Sequence, residues 1–262
     1  MFSREGGSTM FKKTSLFVLI LLTMVSFSAC RNGEENPEKQ MRPILNFTSD
    51  AEDHIKFVRT KEYDGRTVRE YTDSKFFYEV TEDGRLMTIF LRTAPATTAA
   101  TLATKEEILL KSNDNLRRLN YDITKFQTDI RFNEGLKQYE SISREKKGDA
   151  FTGNNIYIQY AGDGTLISVS FKYENPDVLN TADKITPDEA KEIIINYFAT
   201  NASTEKYAPL LTEDLIRYEV DVYNNKKVYN LYFSLPVEDT GIFDFSYVVS
   251  TETGIILYRK EL

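Results

Sequence analysis

Three segments of the chain share one local pattern, in which a stretch of alternating apolar and polar residues ends at a glycine turn and a second such stretch follows. The turn glycines are Gly84, Gly164 and Gly254, which lie 80 and 90 residues apart. Glycine takes the positive φ that a tight hairpin turn requires, so each segment is predicted to form a β-hairpin. Repeated hairpins predict antiparallel sheets. The three segments are residues 78–86, 157–166 and 247–256.

A helix is predicted to begin before the third hairpin. Thr186 fits the N-cap, Pro187 the first helical position and Glu189 the third, and together they form a capping box. The apolar residues that follow have the spacing of one face of an amphipathic helix. They are Ala190, Ile193, Ile194, Tyr197 and Phe198.

A second capping box, formed by Thr104 and Glu107, precedes the second hairpin. Its apolar positions do not superpose on those of the later helix, so this copy is predicted to be divergent. From N-cap threonine to turn glycine the two copies span 60 and 68 residues, and we assign the extra eight to a longer loop at residues 236–241. The side chains expected on the buried face of the earlier helix are Leu109, Ser112, Leu116 and Leu119.

These elements predict an α+β fold of repeated units, each with one helix packed on a three- to four-stranded antiparallel sheet. The expected organisation is an N-terminal β-rich half-unit at residues 46–92, a first complete unit at 102–175 and a second at 184–262. A segment rich in threonine and alanine at 93–101 is interpreted as a linker.

The order of helix start, strands and closing hairpin resembles that of the PepSY domain family. The resemblance is carried by Ile-Thr-Pro-Asp-Glu-Ala-Lys at 185–191 and Tyr-Val-Val-Ser-Thr-Glu-Thr-Gly-Ile-Ile at 247–256. It is best over residues 185–262 and weaker over 104–173. It implies PepSY-like repeats that form a non-catalytic module, which binds or inhibits a peptidase or contacts another envelope protein. Since no peptidase domain follows residue 258 in the sequence, we expect this module to act in trans.

The first thirty residues have the composition of an export signal. Lys12 and Lys13 precede an apolar stretch at 16–25, which is too short to span a bilayer but suits a secretory signal. The Ser-Ala-Cys sequence that ends at Cys30 resembles the lipobox of bacterial lipoproteins, although Phe27 departs from the usual leucine. The resemblance implies a diacylglycerol thioether on Cys30. An ordinary signal peptide that is cleaved near this cysteine is the alternative.

Export and lipidation would hold the chain at the extracytoplasmic face of the cell membrane. Residues 1–29 are accordingly predicted to be the signal peptide, and residues 30–45 a polar, lipidated, flexible tether. The expected partners are the membrane, through the lipid on Cys30, and a protein of the envelope such as a peptidase.

Composition argues against several other functions. With one cysteine the chain forms no internal disulfide and no thiolate metal cluster, and His54 alone supplies no two-histidine metal motif. A formal charge of −7 argues against nucleic acid as a partner. Ser143 with Lys146 and Ser203 with Lys206 match the Ser-x-x-Lys motif at the frequency expected by chance. No catalytic, cofactor-binding or metal-binding residue is predicted, and the chain is expected not to be an enzyme.

Two alternatives of a different class stay open. Pairs of carboxylates could serve a cell-wall hydrolase, although solvated loop charge explains them as well. A solute-binding lipoprotein is the other alternative, but it would need alternating strands and helices that build parallel sheets. Tyrosines of the late strands, such as Tyr218, Tyr229 and Tyr247, could form a binding surface or pack in the core. The candidate carboxylates are Glu213, Asp214, Glu238, Asp239 and Asp244.

Overall fold

The computed structural model describes residues 55–63, 65–93, 101–237 and 241–260. These residues form an α+β fold with two antiparallel sheets and two α-helices. The predicted signal peptide, tether and Cys30 lie outside the described residues. The helices are α1 (Lys105–Arg118) and α2 (Pro187–Thr200), and the strands are β1 (Lys56–Tyr63), β2 (Arg66–Thr72), β3 (Phe76–Thr81), β4 (Leu86–Leu91), β5 (Phe126–Asn133), β6 (Gln138–Lys147), β7 (Ala150–Ala161), β8 (Leu166–Lys172), β9 (Arg217–Tyr223), β10 (Lys226–Val237), β11 (Gly241–Ser250) and β12 (Ile256–Lys260).

Both predicted helix starts are confirmed. The backbone N–H of Glu107 donates to Thr104 Oγ1 over 3.2 Å, and the backbone N–H of Thr104 donates to Glu107 Oε2 over 2.7 Å. Thr186 and Glu189 make the same reciprocal pair at the same two distances. Each box satisfies two N–H groups that a helix end would otherwise leave unpaired.

The buried faces of the two helices coincide when each is counted from its N-cap threonine. The residues four, eight and twelve positions later have no exposed surface in either helix. The predicted divergence of α1 is therefore wrong at its buried positions, and Leu109, which is 37% exposed, does not belong to that face. The six buried residues are Ile108, Ser112 and Leu116 in α1, and Ala190, Ile194 and Phe198 in α2.

The three predicted turn glycines all have positive φ, between 70° and 82°. Two of them also pack against the helix of their own unit. A Cβ added to Gly164 would lie 2.6 Å from Lys111 Nζ, and one added to Gly254 would lie 3.0 Å from Ile193 Cδ1. Lys111 and Ile193 both stand seven positions after the N-cap threonine, so the hairpin turn meets the same helical position in each unit.

The larger sheet has eight strands in the order β1-β2-β3-β4-β8-β7-β6-β5. Its size differs from the prediction of one small sheet per unit, because β4 pairs with β8 and joins the N-terminal strands to the four strands that follow α1. This pairing satisfies the backbone groups of two strand edges that would otherwise be open. Directly paired residues on one face form an unbroken buried row, which consists of Tyr78, Ile89, Val169 and Ile158.

The smaller sheet has four strands in the order β12-β11-β10-β9, and α2 covers one of its faces. The ring of Phe198 packs edge-on against Phe233 and Phe245, with centroids 5.3 and 5.2 Å apart. Aromatic contacts of this geometry add to the stabilisation that area burial provides. The core of this sheet is thus aromatic, whereas α1 buries Leu116 at the position that corresponds to Phe198.

The extra residues of the second unit do not form the loop predicted at 236–241. Residues 236 and 237 belong to β10, and β11 begins at Gly241. The insertion lies instead between α2 and β9, where two short 3₁₀ segments, Glu205–Leu210 and Glu213–Leu215, add a covering layer. Tyr207 and Leu211 of this layer are buried in the aromatic core, so the insertion extends the hydrophobic packing of α2.

Candidate functional site

The described residues form an open cleft of about 1270 Å³. One wall consists of the β1–β2 and β3–β4 turns. A second wall consists of the end of β8, the residues that follow it and the β9–β10 turn. Its charged lining residues carry three positive and three negative charges: Arg66, Arg85, Lys172, Glu82, Asp83 and Glu174.

The second wall depends on a close approach of the two sheets between β7 and β9. Gly153 in β7 has φ +76°, and an added Cβ would lie 2.4 Å from the carbonyl oxygen of Val222 in β9. Only glycine avoids both the backbone strain and the steric overlap at this position. The sheets therefore approach each other more closely here than any larger residue would allow.

Glu174 fixes the β9–β10 turn at the edge of the cleft. Its Oε1 accepts the backbone N–H of Asn224 over 3.0 Å, and its Oε2 accepts that of Asn225 over 2.7 Å. Both asparagines have positive φ, as a two-residue hairpin turn requires. Lys172 Nζ lies 3.0 Å from Glu174 Oε1, and the Glu174 side chain is 5% exposed. This carboxylate therefore acts as a structural acceptor.

A second set of charges crosses the junction of the two sheets. Arg144 Nη1 of β6 donates to Glu219 Oε2 of β9 over 2.7 Å, and its guanidinium lies 3.8 Å from the centroid of the Phe151 ring. Burial lowers the pKa of Arg144, but the hydrogen bond and charge of Glu219 outweigh it and raise the pKa overall. Burial raises the pKa of Asp221, with partial compensation from the Val222 N–H and the charge of Arg144.

The floor of the cleft is aromatic. Tyr173 Oη donates to the carbonyl oxygen of Leu86 over 2.9 Å and lies 3.4 Å from Tyr121 Oη. The guanidinium of Arg85 lies 5.7 Å from the centroid of the Tyr173 ring. Burial raises the pKa of Tyr173, and the nearby Tyr121 raises it further. Tyr173 therefore stays protonated at neutral pH and supplies an apolar surface rather than a base.

Two charged side chains of the cleft, Arg66 and Glu82, form no ion pair with any residue that the structure describes. Both are exposed. In contrast, Arg85 Nε lies 3.1 Å from Asp83 Oδ2, and Lys172 pairs with Glu174. Arg66 and Glu82 are thus the charges of the cleft that a ligand would meet without first breaking an ion pair.

Neither serine of the two Ser-x-x-Lys matches lies in an α-helix. Ser143 is buried in a strand, where its Oγ lies 2.8 Å from Thr128 Oγ1, whereas the motif requires a helix. Lys146 Nζ lies 5.0 Å from the centroid of the Phe151 ring. Ser203 Oγ donates to Asn201 Oδ1 over 2.7 Å.

The candidate carboxylates that the structure describes lie outside the cleft. Glu213 Oε1 is 3.6 Å from Lys191 Nζ, and Asp214 lies in the same 3₁₀ turn. Asp244 Oδ1 accepts a hydrogen bond from Ser234 Oγ over 2.6 Å. The other carboxylates, Glu238 and Asp239, and the single histidine, His54, lie outside the described residues.

The late tyrosines divide between core and surface. Tyr229 and Tyr247 are buried in the core, whereas Tyr218 is 44% exposed. Tyr218 packs edge-on against Tyr229, with ring centroids 5.8 Å apart. Packing therefore accounts for most of the tyrosine pattern, and none of these three residues lines the cleft.

Sequence reasoning missed the charged residues of the cleft. Arg66 and Glu174 belong to no motif, and Glu82 lies in the first predicted hairpin, whose pattern does not indicate a binding role for it. The Asn224-Asn225 pair carries the one usable signal, because adjacent asparagines favour the positive φ of a hairpin turn. That signal predicts the turn but does not predict its contact with Glu174.

Within the described ranges, no group of three or more His, Cys, Asp or Glu side chains is arranged to hold a metal ion. No helix in that part of the chain is long and apolar enough to cross a bilayer.

Comparisons with known proteins identify a fold. No protein-family model matches the chain, and no curated protein matches it. Among solved structures, the chain is similar to the Bacillus megaterium YpeB C-terminal domain, with a TM-score of 0.50 and 11% sequence identity. The similarity covers 86% of this chain and 96% of that domain. It agrees with the α+β fold of antiparallel sheets and few helices predicted from the sequence.

Proposed function

We propose that this chain is a lipid-anchored, extracytoplasmic, non-catalytic module that binds a protein of the envelope, such as a secreted peptidase. The observation that carries the proposal is the cleft, a large polar concavity built from turns of separate parts of the chain. Its carboxylates Asp83 and Glu174 are engaged by neighbouring cations. With Asp83 and Glu174 engaged, Glu82 is the one carboxylate among the described lining residues without an ion pair, whereas a carboxylate-based hydrolase needs two that face one substrate.

The proposal includes PepSY-like repeats. The helix of each unit begins with a threonine capping box, buries positions four, eight and twelve, and packs its seventh position on the turn glycine. Four antiparallel strands follow each helix in chain order. The strands β1 to β4 repeat the four-stranded part and fit the predicted half-unit, for which the described residues begin at 55.

The two alternatives receive less support. A solute-binding lipoprotein would use parallel sheets, whereas every strand pair in the described residues is antiparallel. A carboxylate-based hydrolase would need two carboxylates that face one substrate. Asp244 and Glu213 instead accept from Ser234 and pair with Lys191, outside the cleft.

The anchoring part of the proposal rests on Cys30 and is tested by cell fractionation. In the source bacterium, the wild-type chain is expected in the membrane fraction and to incorporate labelled fatty acid. Cys30→Ser is expected to incorporate none and to leave the membrane fraction, because a single thioether lipid provides the attachment. Equal partitioning of both forms would contradict lipid anchoring.

The binding part is tested with the mature chain carrying Cys30→Ser, immobilised and exposed to envelope extract. Retained proteins are identified by mass spectrometry, purified and titrated against the chain. Saturable binding of an envelope protein, with a change in the activity of any peptidase among them, is the expected result. Turnover of a peptide or peptidoglycan substrate by the pure chain would contradict a non-catalytic role.

A further inference from the structure

The size of the cleft favours a polymeric ligand over a small molecule. Pockets for small molecules enclose roughly 300–1000 Å³ and surround most of the ligand surface. The cleft holds about 1270 Å³ and is open to solvent. A chain segment that enters and leaves the cleft fits this shape better than a small molecule.

The charges of the cleft indicate which class of polymer it can bind. Among the residues that the structure describes, three cations and three carboxylates line it, and the two that form no ion pair there, Arg66 and Glu82, have opposite signs. A nucleic acid or an anionic glycan would place its negative charges beside Glu82, and a neutral glycan would leave both charges unmatched. A polypeptide can present an acidic and a basic side chain on one segment. Charge complementarity of this kind gives an interface its specificity.

The remaining lining residues suit a polypeptide as well. Phe171, Tyr173 and Met87 offer apolar surface for aliphatic side chains. The exposed Asn224 carries an amide that can both donate to and accept from a peptide backbone. A cleft with an apolar floor and a polar, charged rim has the composition of protein interfaces in general.

We infer that the cleft binds an extended polypeptide segment of mixed charge, with an acidic side chain at Arg66 and a basic side chain at Glu82. This inference rests on the proposed protein-binding function and names the chemistry of the partner. Charge-assisted hydrogen bonds to an exposed guanidinium and carboxylate supply its specificity, so the affinity falls as the salt concentration rises.

The test uses the full mature chain carrying Cys30→Ser and four sets of short synthetic peptides matched in length: mixed-charge, acidic, basic and neutral. An oligomer of N-acetylglucosamine serves as the glycan probe. Binding is measured by fluorescence anisotropy, and the site is located by amide NMR shifts. Mixed-charge peptides are expected to bind best and to shift the signals of Tyr173, Asn224 and their neighbours.

Charge reversal identifies the contacts. Arg66→Glu and Glu82→Lys are each expected to weaken binding of the mixed-charge peptide by about tenfold, since each reversal removes a charge-assisted hydrogen bond and places like charges together. The matched controls Arg131→Glu and Glu192→Lys change exposed charges outside the cleft and are expected to bind like the parent chain.

Three results would overturn the inference: equal binding by the cleft and control variants, NMR shifts outside the cleft, or preferential binding of the glycan oligomer. The proposed protein-binding function is contradicted by results different from those that contradict the inference about the cleft. If an envelope protein binds the parent chain and both cleft variants equally, the proposed protein-binding function still holds, but the cleft is not the binding site. The absence of any protein partner together with the absence of peptide binding would remove both.

Discussion

Gly153 lies against Val222 at the junction of the two sheets, where a Cβ on Gly153 would be 2.4 Å from the Val222 carbonyl oxygen. This contact joins β7 of the larger sheet to β9 of the smaller one. Because β9 leads directly into the turn that borders the cleft, the approach at Gly153 sets the position of one cleft wall. A change at this glycine is therefore expected to affect stability and peptide binding together.

Gly153→Ala is expected to destabilise the chain by about 2–4 kcal/mol, because it combines a strained positive φ with overlap on backbone atoms. The matched control is Gly148→Ala, since Gly148 has φ +65° and no neighbouring atom within 4 Å. The control is expected to lose about 1 kcal/mol from backbone strain alone. Urea unfolding of the two variants measures the difference, and equal losses would contradict a tight contact at the junction.

Local chemistry made much of the fold predictable. Capping boxes and turn glycines act over a few residues, and both helix starts and all three hairpins are where the sequence indicates. The buried face of α1 was predicted in part: Ser112, Leu116 and Leu119 are buried as expected, whereas Leu109 is exposed and the buried residues Ile108 and Asn115 were missed. Ser112 and Asn115 are buried there through hydrogen bonds to Tyr160, whose position depends on the fold of the whole unit.

The cleft could not be predicted because it depends on contacts that are remote in the chain. The pairing of β4 with β8 joins residues about 80 positions apart, and the bonds from Asn224 and Asn225 to Glu174 span about 50. Neither contact leaves a periodic pattern or a motif in the sequence. The charges that meet in the cleft are therefore visible only in the folded chain.

The network beneath α1 leads to a prediction at Tyr160. Asn115 Nδ2 donates to Tyr160 Oη over 2.9 Å, and Ser112 Oγ lies 3.2 Å from the same atom. Tyr160→Phe leaves the buried Asn115 amide without this acceptor and is expected to cost about 1–3 kcal/mol of unfolding free energy.

A double-mutant cycle with Asn115→Leu tests the cause. The double variant is expected to be more stable than Tyr160→Phe alone, because it replaces both partners by apolar groups. Chemical denaturation of the four proteins gives the coupling. Additive losses would mean that the hydrogen bond contributes nothing.

Glu174 is expected to contribute more to stability than an exposed acidic residue with one ion pair. Glu174→Ala removes the acceptor of two backbone N–H groups and the partner of Lys172, with an expected cost of about 1–3 kcal/mol. The matched control is Glu252→Ala, because Glu252 makes one exposed pair with Lys184. Exposed pairs contribute about 0–1 kcal/mol, so the control is expected to change little.

The same pair of variants separates local from global effects. Glu174→Ala is also expected to broaden or shift the amide NMR signals of Asn224 and Asn225, whose donors lose their acceptor. A loss of stability equal to that of Glu252→Ala, or unchanged asparagine signals, would contradict the role of Glu174 in holding this turn.

The buried Asp221 at the sheet junction makes the stability of the chain depend on pH, and the sign of this dependence follows from its pKa shift. Burial raises its pKa above the ordinary value of 3.8 in the folded chain. Between the ordinary and the raised pKa, the folded chain binds more protons than the unfolded chain, so stability falls as pH rises through this window. The groups that act on this carboxylate are Arg144, Lys172, Glu219 and the Val222 N–H.

Asp221→Asn removes the ionisation but keeps an oxygen that can accept the Val222 N–H. The stability of this variant relative to wild type is therefore expected to increase as pH rises above about 3.8 and to level off above the raised pKa. Asp122→Asn is the control of opposite sign. Hydrogen bonds from Thr124 lower the pKa of the exposed Asp122, so its contribution is present above about 3.8 and is lost as pH falls through the lowered value. The free energies of unfolding of both variants and of the wild type, measured across this pH range, give the two slopes. If the stability of Asp221→Asn relative to wild type stays flat or decreases as pH rises, burial at the sheet junction does not disfavour the charged aspartate.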